Sequence, residues 1–278
     1  MALTSVIVWQ RHEVVRTFGD GDVWKGDYWI AADSRISAAS EEYAGGRRIL
    51  TDAAAKIIPI HYKLFKRYET GPGVTRCWEG ELGFAYAGNT LPATMTYAYA
   101  VNAFSEMTAD AYDELPALED FVRYIARVAK RYAAETKAPF ELLITGNDPR
   151  LDDRDVELWH LAVWSTDRPV DVARVTFDQS KRFFLMGSRR EEIAKLVQAG
   201  FDADVEYNPT AALGGVIDQR EIAEIGGTLQ LARLHRSGGI TLFPAFGLAS
   251  YGSKLPTTFN ADEFGSVGAF DVGIRRGY

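Results

Sequence analysis

Between residues 118 and 132 the apolar side chains fall on one helical stripe: Leu118, Phe121, Val122, Ile125, Val128, Ala129 and Tyr132. Spacings of three and four residues predict an amphipathic helix with one buried face. Glu119 and Asp120 stand in its first turn, and Lys130 and Arg131 near its end, the polarity a helix dipole favours. Upstream, Asn89 or Thr90 is placed to cap another helix, with Pro92 in the first turn, where a missing N–H costs nothing. Two helices in mid-chain need apolar surfaces to cover, and the flanking sequence supplies them as strands.

Before the helices, residues 5–9, 28–32, 57–60 and 82–86 are short apolar runs that read as strands. Residues 10–27, with Gly19, Gly21 and Gly26, read as a long connection. Residues 37–52, with Gly45-Gly46, read as a loop, and Gly71-Pro72-Gly73 as a turn. The run at 57–60 is expected to end near Pro59 and His61. After the helices, strands are expected at 140–145, 156–163 and 182–186, separated by turns at Asp148-Pro149 and Asp167-Arg168-Pro169. Ser188 to Glu191 has capping-box spacing and should open a helix to about residue 199. A further helix is expected over 217–235, weakened by Gly226-Gly227, and a last strand over 240–243. Strands, two helices, strands, two helices and a strand imply an α+β fold. Two antiparallel sheets pack together with helices outside, a four-layer αββα sandwich. Residues 1–245 read as one domain and 246–278, rich in Gly, Ser and Thr, as a C-terminal extension.

Composition narrows the function classes. At 278 residues and 47% apolar, the chain can bury an ample core. Its net charge is −7 and it has no basic block, which argues against nucleic acid and membrane surfaces as partners. No apolar run approaches the length of a membrane span, and no secretion leader is expected. The single cysteine, Cys77, makes no internal disulfide and fits a reducing, cytoplasmic setting. His12, His61, His160 and His235 show no close pair at ligand spacing, so no metal is expected. The glycine-rich pieces lack the lysine of a phosphate loop, so no cofactor is expected either.

Several motifs in order resemble the β-type subunits of the proteasome family, within the N-terminal-nucleophile hydrolases. Thr4-Ser5-Val6-Ile7-Val8 is similar to their opening strand, and Ala32-Asp33-Ser34-Arg35 to their Ala-Asp-Ser/Thr-Arg motif. Lys56 stands just before Ile57-Ile58-Pro59-Ile60, as the family lysine does before its strand. Ala87-Gly88, Gly187-Ser188 and Ser237-Gly238-Gly239 match further family glycines and serines. Taken singly, Lys56 reads as a strand-flanking lysine and Ser188 as an N-cap; the shared order carries the resemblance. The chain departs from the pattern in two places. Leu3 precedes Thr4 where a glycine is usual, and Leu234 stands where an aspartate belongs three residues before the serine.

The resemblance implies a site in which Thr4, freed by loss of Met1-Ala2-Leu3, is the nucleophile and its own α-amine the base. A threonine hydroxyl is a weak nucleophile until a base activates it. Lys56 would lower the pKa of hydroxyl and amine, Asp33 would hold Lys56, and Arg35 would order the network. The N–H of Gly88 would bind the oxyanion, and Ser188 and Ser237 would orient the amine. The implied activity is a proteasome-like threonine peptidase acting on peptides or unfolded polypeptide. Its implied setting is a homo-oligomeric ring or helical array, with an unfoldase as a partner by analogy. The alternatives are a catalytically silent subunit forming an oligomeric scaffold or chamber, and, more weakly, an amidase for a small amide.

Overall fold

The computed structural model describes residues 4–16, 22–39, 47–52, 54–67, 74–109, 115–151, 155–178, 181–204, 207–218, 225–235, 239–243, 266–267 and 270–271. The first half of the chain forms β1 (Ser5–Arg16), β2 (Asp22–Asp33), β3 (Ile36–Ala39), β4 (Arg47–Thr51), β5 (Ile57–Arg67), β6 (Val74–Gly88), α1 (Thr90–Phe104), β7 (Met107–Ala109) and α2 (Leu118–Thr136). The second half forms β8 (Phe140–Asn147), β9 (Val156–Val163), β10 (Asp171–Val175), β11 (Phe183–Gly187), α3 (Arg190–Ala203), α4 (Thr210–Asp218), β12 (Leu229–Leu234) and β13 (Ile240–Phe243). Near the C-terminus, β14 (Ser266–Val267) pairs with β15 (Phe270–Asp271). The expected α+β class, with sheets flanked by helix pairs, is what forms. The chain divides into two compact units.

The first unit carries both ends of the chain and residues 177–233. Its sheet has the order β11-β1-β2-β12-β13, with β1 antiparallel to both neighbours. Odd-numbered residues of β1, Ile7 and Trp9, meet Ile193, Val197 and Phe201 of α3 and Leu213 and Val216 of α4. Each such side chain contributes about 1.5–3 kcal/mol on burial. The even-numbered Val6 and Val8 are fully buried too.

The second unit spans 58–176 with residues 234–240. Its sheet has the order β10-β9-β8-β6-β5-β7. Helices α1 and α2 cover one face: Phe121, Val122 and Ile125 pack with Tyr62, Phe84, Leu142 and Leu161. The side chain of Asn89 caps α1 by accepting from the Leu91 N–H at 3.1 Å. At the start of α2 the Asp120 carboxylate reaches back to the Ala117 N–H at 2.8 Å. Helix α2 ends at Lys137 with φ 53°, a left-handed cap on a residue other than glycine. No helix among the described residues is long and apolar enough to cross a membrane.

Several elements differ from the sequence expectation. The connection expected over 10–27 is mostly strand, because β1 and β2 pair without interruption from Val6 with Ala32 to Arg16 with Asp22. The loop expected over 37–52 contains the β3–β4 hairpin. Strand β5 continues through Pro59 to Arg67; β7 pairs it only at Leu64 to Lys66, so Pro59 lies where a missing donor is tolerated. The helix expected over 217–235 is replaced by α4, which ends at Asp218, and by β12. Along β12 burial alternates strictly, with Gln230, Ala232 and Leu234 inside, and this two-residue period fits a strand and no helix. The capping box at Ser188 does not form: α3 starts from Arg189 at φ 51° without a side-chain cap. Gly45-Gly46, Gly71-Pro72-Gly73 and nearly all of 246–278 lie outside the described residues.

Candidate active site

The sheet of the first unit brings one strand start against two strand ends. Because β1 runs antiparallel to β2 and β11, Ser5 lies opposite Gly187, and Val6 lies opposite Ala32. Thr4 therefore sits beside Asp33 at the end of β2 and beside Ser188 just past β11. The Ser188 N–H donates to the Thr4 carbonyl at 2.9 Å, and Ser5 Oγ donates to the Ser188 carbonyl at 2.8 Å. These bonds also explain the missing capping box: the Ser188 backbone is committed to β1 before the helix starts.

Lys56 enters from the segment ahead of β5. Its Nζ lies 2.7 Å from Thr4 Oγ1, 3.3 Å from each Asp33 oxygen, and in a short hydrogen bond to the Arg35 carbonyl. An ammonium has three protons, and these partners use all of them. Thr4 is 1% exposed and both Asp33 and Lys56 are 0% exposed, so the pair is fully withdrawn from solvent. Asp33 also accepts backbone N–H bonds from Ser5 at 3.0 Å, Arg35 at 3.2 Å and Gly226 at 3.3 Å.

Burial sets the electrostatics. Loss of water pushes the Lys56 pKa down, opposed by the Asp33 carboxylate. Burial likewise pushes the Asp33 carboxyl up, opposed by Lys56 and by the Ser5 and Gly226 amides. Both shifts favour the neutral form of each partner, so a proton on Lys56 is held less firmly than on a surface lysine. In its charged form Lys56 donates to Thr4 Oγ1. In its neutral form the same 2.7 Å contact can run the other way, with the threonine hydroxyl donating to Nζ.

A second layer fixes this pair. Arg35 makes a two-pronged bond to Asp52, Nε at 2.7 Å and a terminal nitrogen at 3.2 Å, and a third bond to the Ile225 carbonyl at 3.3 Å. Ser34 is buried and joins three segments: its N–H donates to Gly226, its carbonyl accepts from Ala54, and its Oγ accepts from the Thr228 N–H at 2.7 Å. Gly227 has φ +78°, and a Cβ there would lie 2.3 Å from Ser34 Oγ and 2.5 Å from the Asp52 carbonyl. Only glycine fits this turn. Gly226-Gly227, Gln230 and Asp52 are members of this layer that the motifs do not single out. A usable signal exists: a glycine pair directly before an alternating strand.

The remaining expected residues are placed as follows. Gly88 ends β6 in the second unit with φ +94°. The Ser188 Oγ is buried with no hydrogen-bond partner among the described residues. Ser237 and Met1 to Leu3 lie outside the described residues. Leu234, at the position where the motif has an aspartate, is the buried last residue of β12. His160 pairs with Glu141 at 2.8 Å across β9 and β8. Among the described residues no cluster of His, Cys, Asp and Glu could hold a metal ion.

No protein-family model matches this chain, and no curated protein does. Solved structures do match. Anbu from Hyphomicrobium sp. strain MC1 is similar with a TM-score of 0.51 at 15% identity, over 85% of this chain and 84% of that one. The helical assembly of the Anbu complex from Pseudomonas aeruginosa gives a TM-score of 0.49 at 14% identity, over 86% of each chain. Anbu (ancestral beta-subunit) from Yersinia bercovieri gives 0.49 at 10% identity, over 85% of this chain and 82% of that one. The first of these, at 15% identity, establishes a shared fold and no residue role. The assignment to the proteasome β-subunit family read from the motifs is corrected accordingly: no family model supports it, and the similar structures are Anbu proteins.

Proposed function

We propose that this chain is a threonine-dependent amide hydrolase that cleaves peptide bonds, with Thr4 as nucleophile, Lys56 rather than the α-amine implied by the resemblance as its proton acceptor, and Asp33 as the anchor of Lys56. The observation that carries this reading is the 2.7 Å contact between Lys56 Nζ and Thr4 Oγ1 in a site closed to water. Neutral Lys56 takes the hydroxyl proton as Oγ1 attacks the substrate carbonyl, and returns it to the leaving amine. Asp33 keeps the ammonium so formed bound in place, and Arg35 and Asp52 hold the segments that carry both groups. Loss of Met1-Ala2-Leu3 would open Thr4 and create an α-amine beside the buried Ser188 hydroxyl, which has no partner among the described residues. An unpaired buried hydroxyl is costly, and an amine or a water bound to it would relieve that cost. The single cysteine fits a cytoplasmic setting.

Intact mass and peptide-amide hydrolysis, measured on the same preparation, test this. The expected result is a chain beginning at Thr4 that hydrolyses a peptide amide, with activity lost in Thr4→Ala. A chain that keeps Leu3 and shows no hydrolysis would overturn the peptidase reading in favour of a silent subunit.

Self-association belongs to the same proposal. On α1, Leu91 and Tyr99 are 59% and 43% exposed, large apolar surfaces suited to burial against another copy. Sedimentation velocity at micromolar concentration should show a species larger than 30.8 kDa. A strict monomer across that range would exclude it.

A further inference from the structure

Gln230 is a buried polar residue in the middle of a sheet, 2% exposed. Its side-chain amide makes no bond to another side chain among the hydrogen bonds described. It is spent on the backbone of the segment that delivers Lys56. Oε1 accepts from the Lys56 N–H at 2.8 Å and from the Ile57 N–H at 3.3 Å, and Nε2 makes a short bond to the Ala54 carbonyl. These partners lie 173 to 176 residues away in sequence. Residues 54–56 precede β5 and belong to no strand, so their polar groups need other partners; a single amide serves two of them and the N–H of Ile57, the first residue of β5.

We propose that Gln230 is the positioning residue of Lys56. It rests on the reading of Thr4 and Lys56 given above. A lysine side chain has four methylenes and many rotamers, so where Nζ comes to rest depends on where its own peptide is fixed. Ser34 holds Ala54 from one side, through the Ala54 N–H at 3.0 Å. Gln230 holds the Ala54 carbonyl and the Lys56 and Ile57 amides from the other. It is the described side chain that binds the Lys56 peptide itself. Strand β12 thus transmits its position in the sheet to the contact between Nζ and Thr4 Oγ1. This role also accounts for a glutamine at an inward position of an alternating strand, where an aliphatic residue would be usual.

Gln230→Met keeps the volume of the side chain and removes the acceptor and the donor. Gln230→Glu keeps the acceptor for both amides, removes the donor to Ala54, and adds a negative charge near Lys56. With Lys56 observed through its side-chain NMR signals, Gln230→Met should shift the Lys56 Nζ and Cε resonances and lower kcat by about 10²-fold, as expected for a misplaced catalytic group. KM should stay within about twofold, because the substrate does not touch Gln230. Gln230→Glu should hold Lys56 in place but raise its pKa, moving the acid limb of the rate profile to higher pH. A merely structural glutamine would, as Gln230→Met, lower thermal stability and leave the Lys56 resonances and kcat unchanged, and that result overturns the proposal. If Gln230→Met does not fold, Gln230→Glu decides alone: an unmoved Lys56 titration overturns it. A wild-type protein without hydrolytic activity would count against the peptidase reading only, since the Lys56 resonances still report on Gln230.

Discussion

Replacing Lys56 with alanine is expected to lower peptide-amide hydrolysis by about 10²–10⁴-fold, the usual contribution of a positioned base. Lys56→Arg should be as inactive as Lys56→Ala. Arginine keeps the positive charge beside Asp33 but does not deprotonate in proteins, so it can stabilise an oxyanion yet cannot accept the Thr4 proton. Two roles for this residue are thereby separated. A cation that only lowers the hydroxyl pKa would leave Lys56→Arg partly active; a proton acceptor would not. The pH profile follows the same logic. Burial lowers the Lys56 pKa from its ordinary value of 10.5, so the rate should rise with pH through that lowered value, as the neutral amine accumulates. Steady-state rates of the three proteins across pH 5–10 check this. Substantial activity in Lys56→Arg would remove Lys56 as the base.

Thr4, Asp33 and Lys56 are legible in the sequence through the order of motifs that resembles the proteasome β-type subunits, and each also flanks a short apolar run, where side chains at strand ends can converge. Their partners are less visible. Asp33 is held by the amides of Ser5, Arg35 and Gly226, and backbone donors leave no residue-type signature. Arg35 reads equally well as a surface cation until Asp52 and the Ile225 carbonyl are brought to it. Gln230 is hidden for a different reason. A polar residue at a buried strand position interrupts the apolar face by which a strand is recognised, and Leu229 and Leu231 stand on the half-buried side instead, so the pattern does not mark which face is inside.

The same tension between local and long-range preference runs through the fold. The stripe from Leu118 to Tyr132 forms its helix because propensity, dipole charges and burial agree. The Ser188 capping box does not form because the Ser188 amide is engaged by Thr4, a partner 184 positions away whose competition no local pattern reveals. Strand length depends on long-range pairing in the same way. Residues 10–16 and 22–27 are largely polar, with His12, Glu13 and Arg16 among them, and they become strand because each has a partner across the β1–β2 hairpin.

Asp33→Ala is expected to destabilise the folded chain by about 3–5 kcal/mol, the cost of breaking a buried ion pair from one side. The substitution leaves the amides of Ser5, Arg35 and Gly226 without their carboxylate and removes the charge that keeps a proton on Lys56. The loss should depend on pH with a definite sign. Lys56 is a base whose folded pKa is lowered, so its contribution is present above the unfolded value of 10.5 and is lost as pH falls through the folded value. Without Asp33 the folded value drops further, so in the window between the two folded values the variant's folded state binds fewer protons than the wild type's. Stability of the variant therefore climbs faster with pH there, and the gap between the two proteins narrows as the medium becomes more alkaline. Asp33 contributes nothing to this slope above its own raised value, where the carboxylate is ionised in folded and unfolded chains alike. Denaturant unfolding at a series of pH values from 6 to 10 measures the gap directly. A gap that is constant or widens would mean that Asp33 does not set the protonation of Lys56, and the role of Asp33 as its anchor would fall with it.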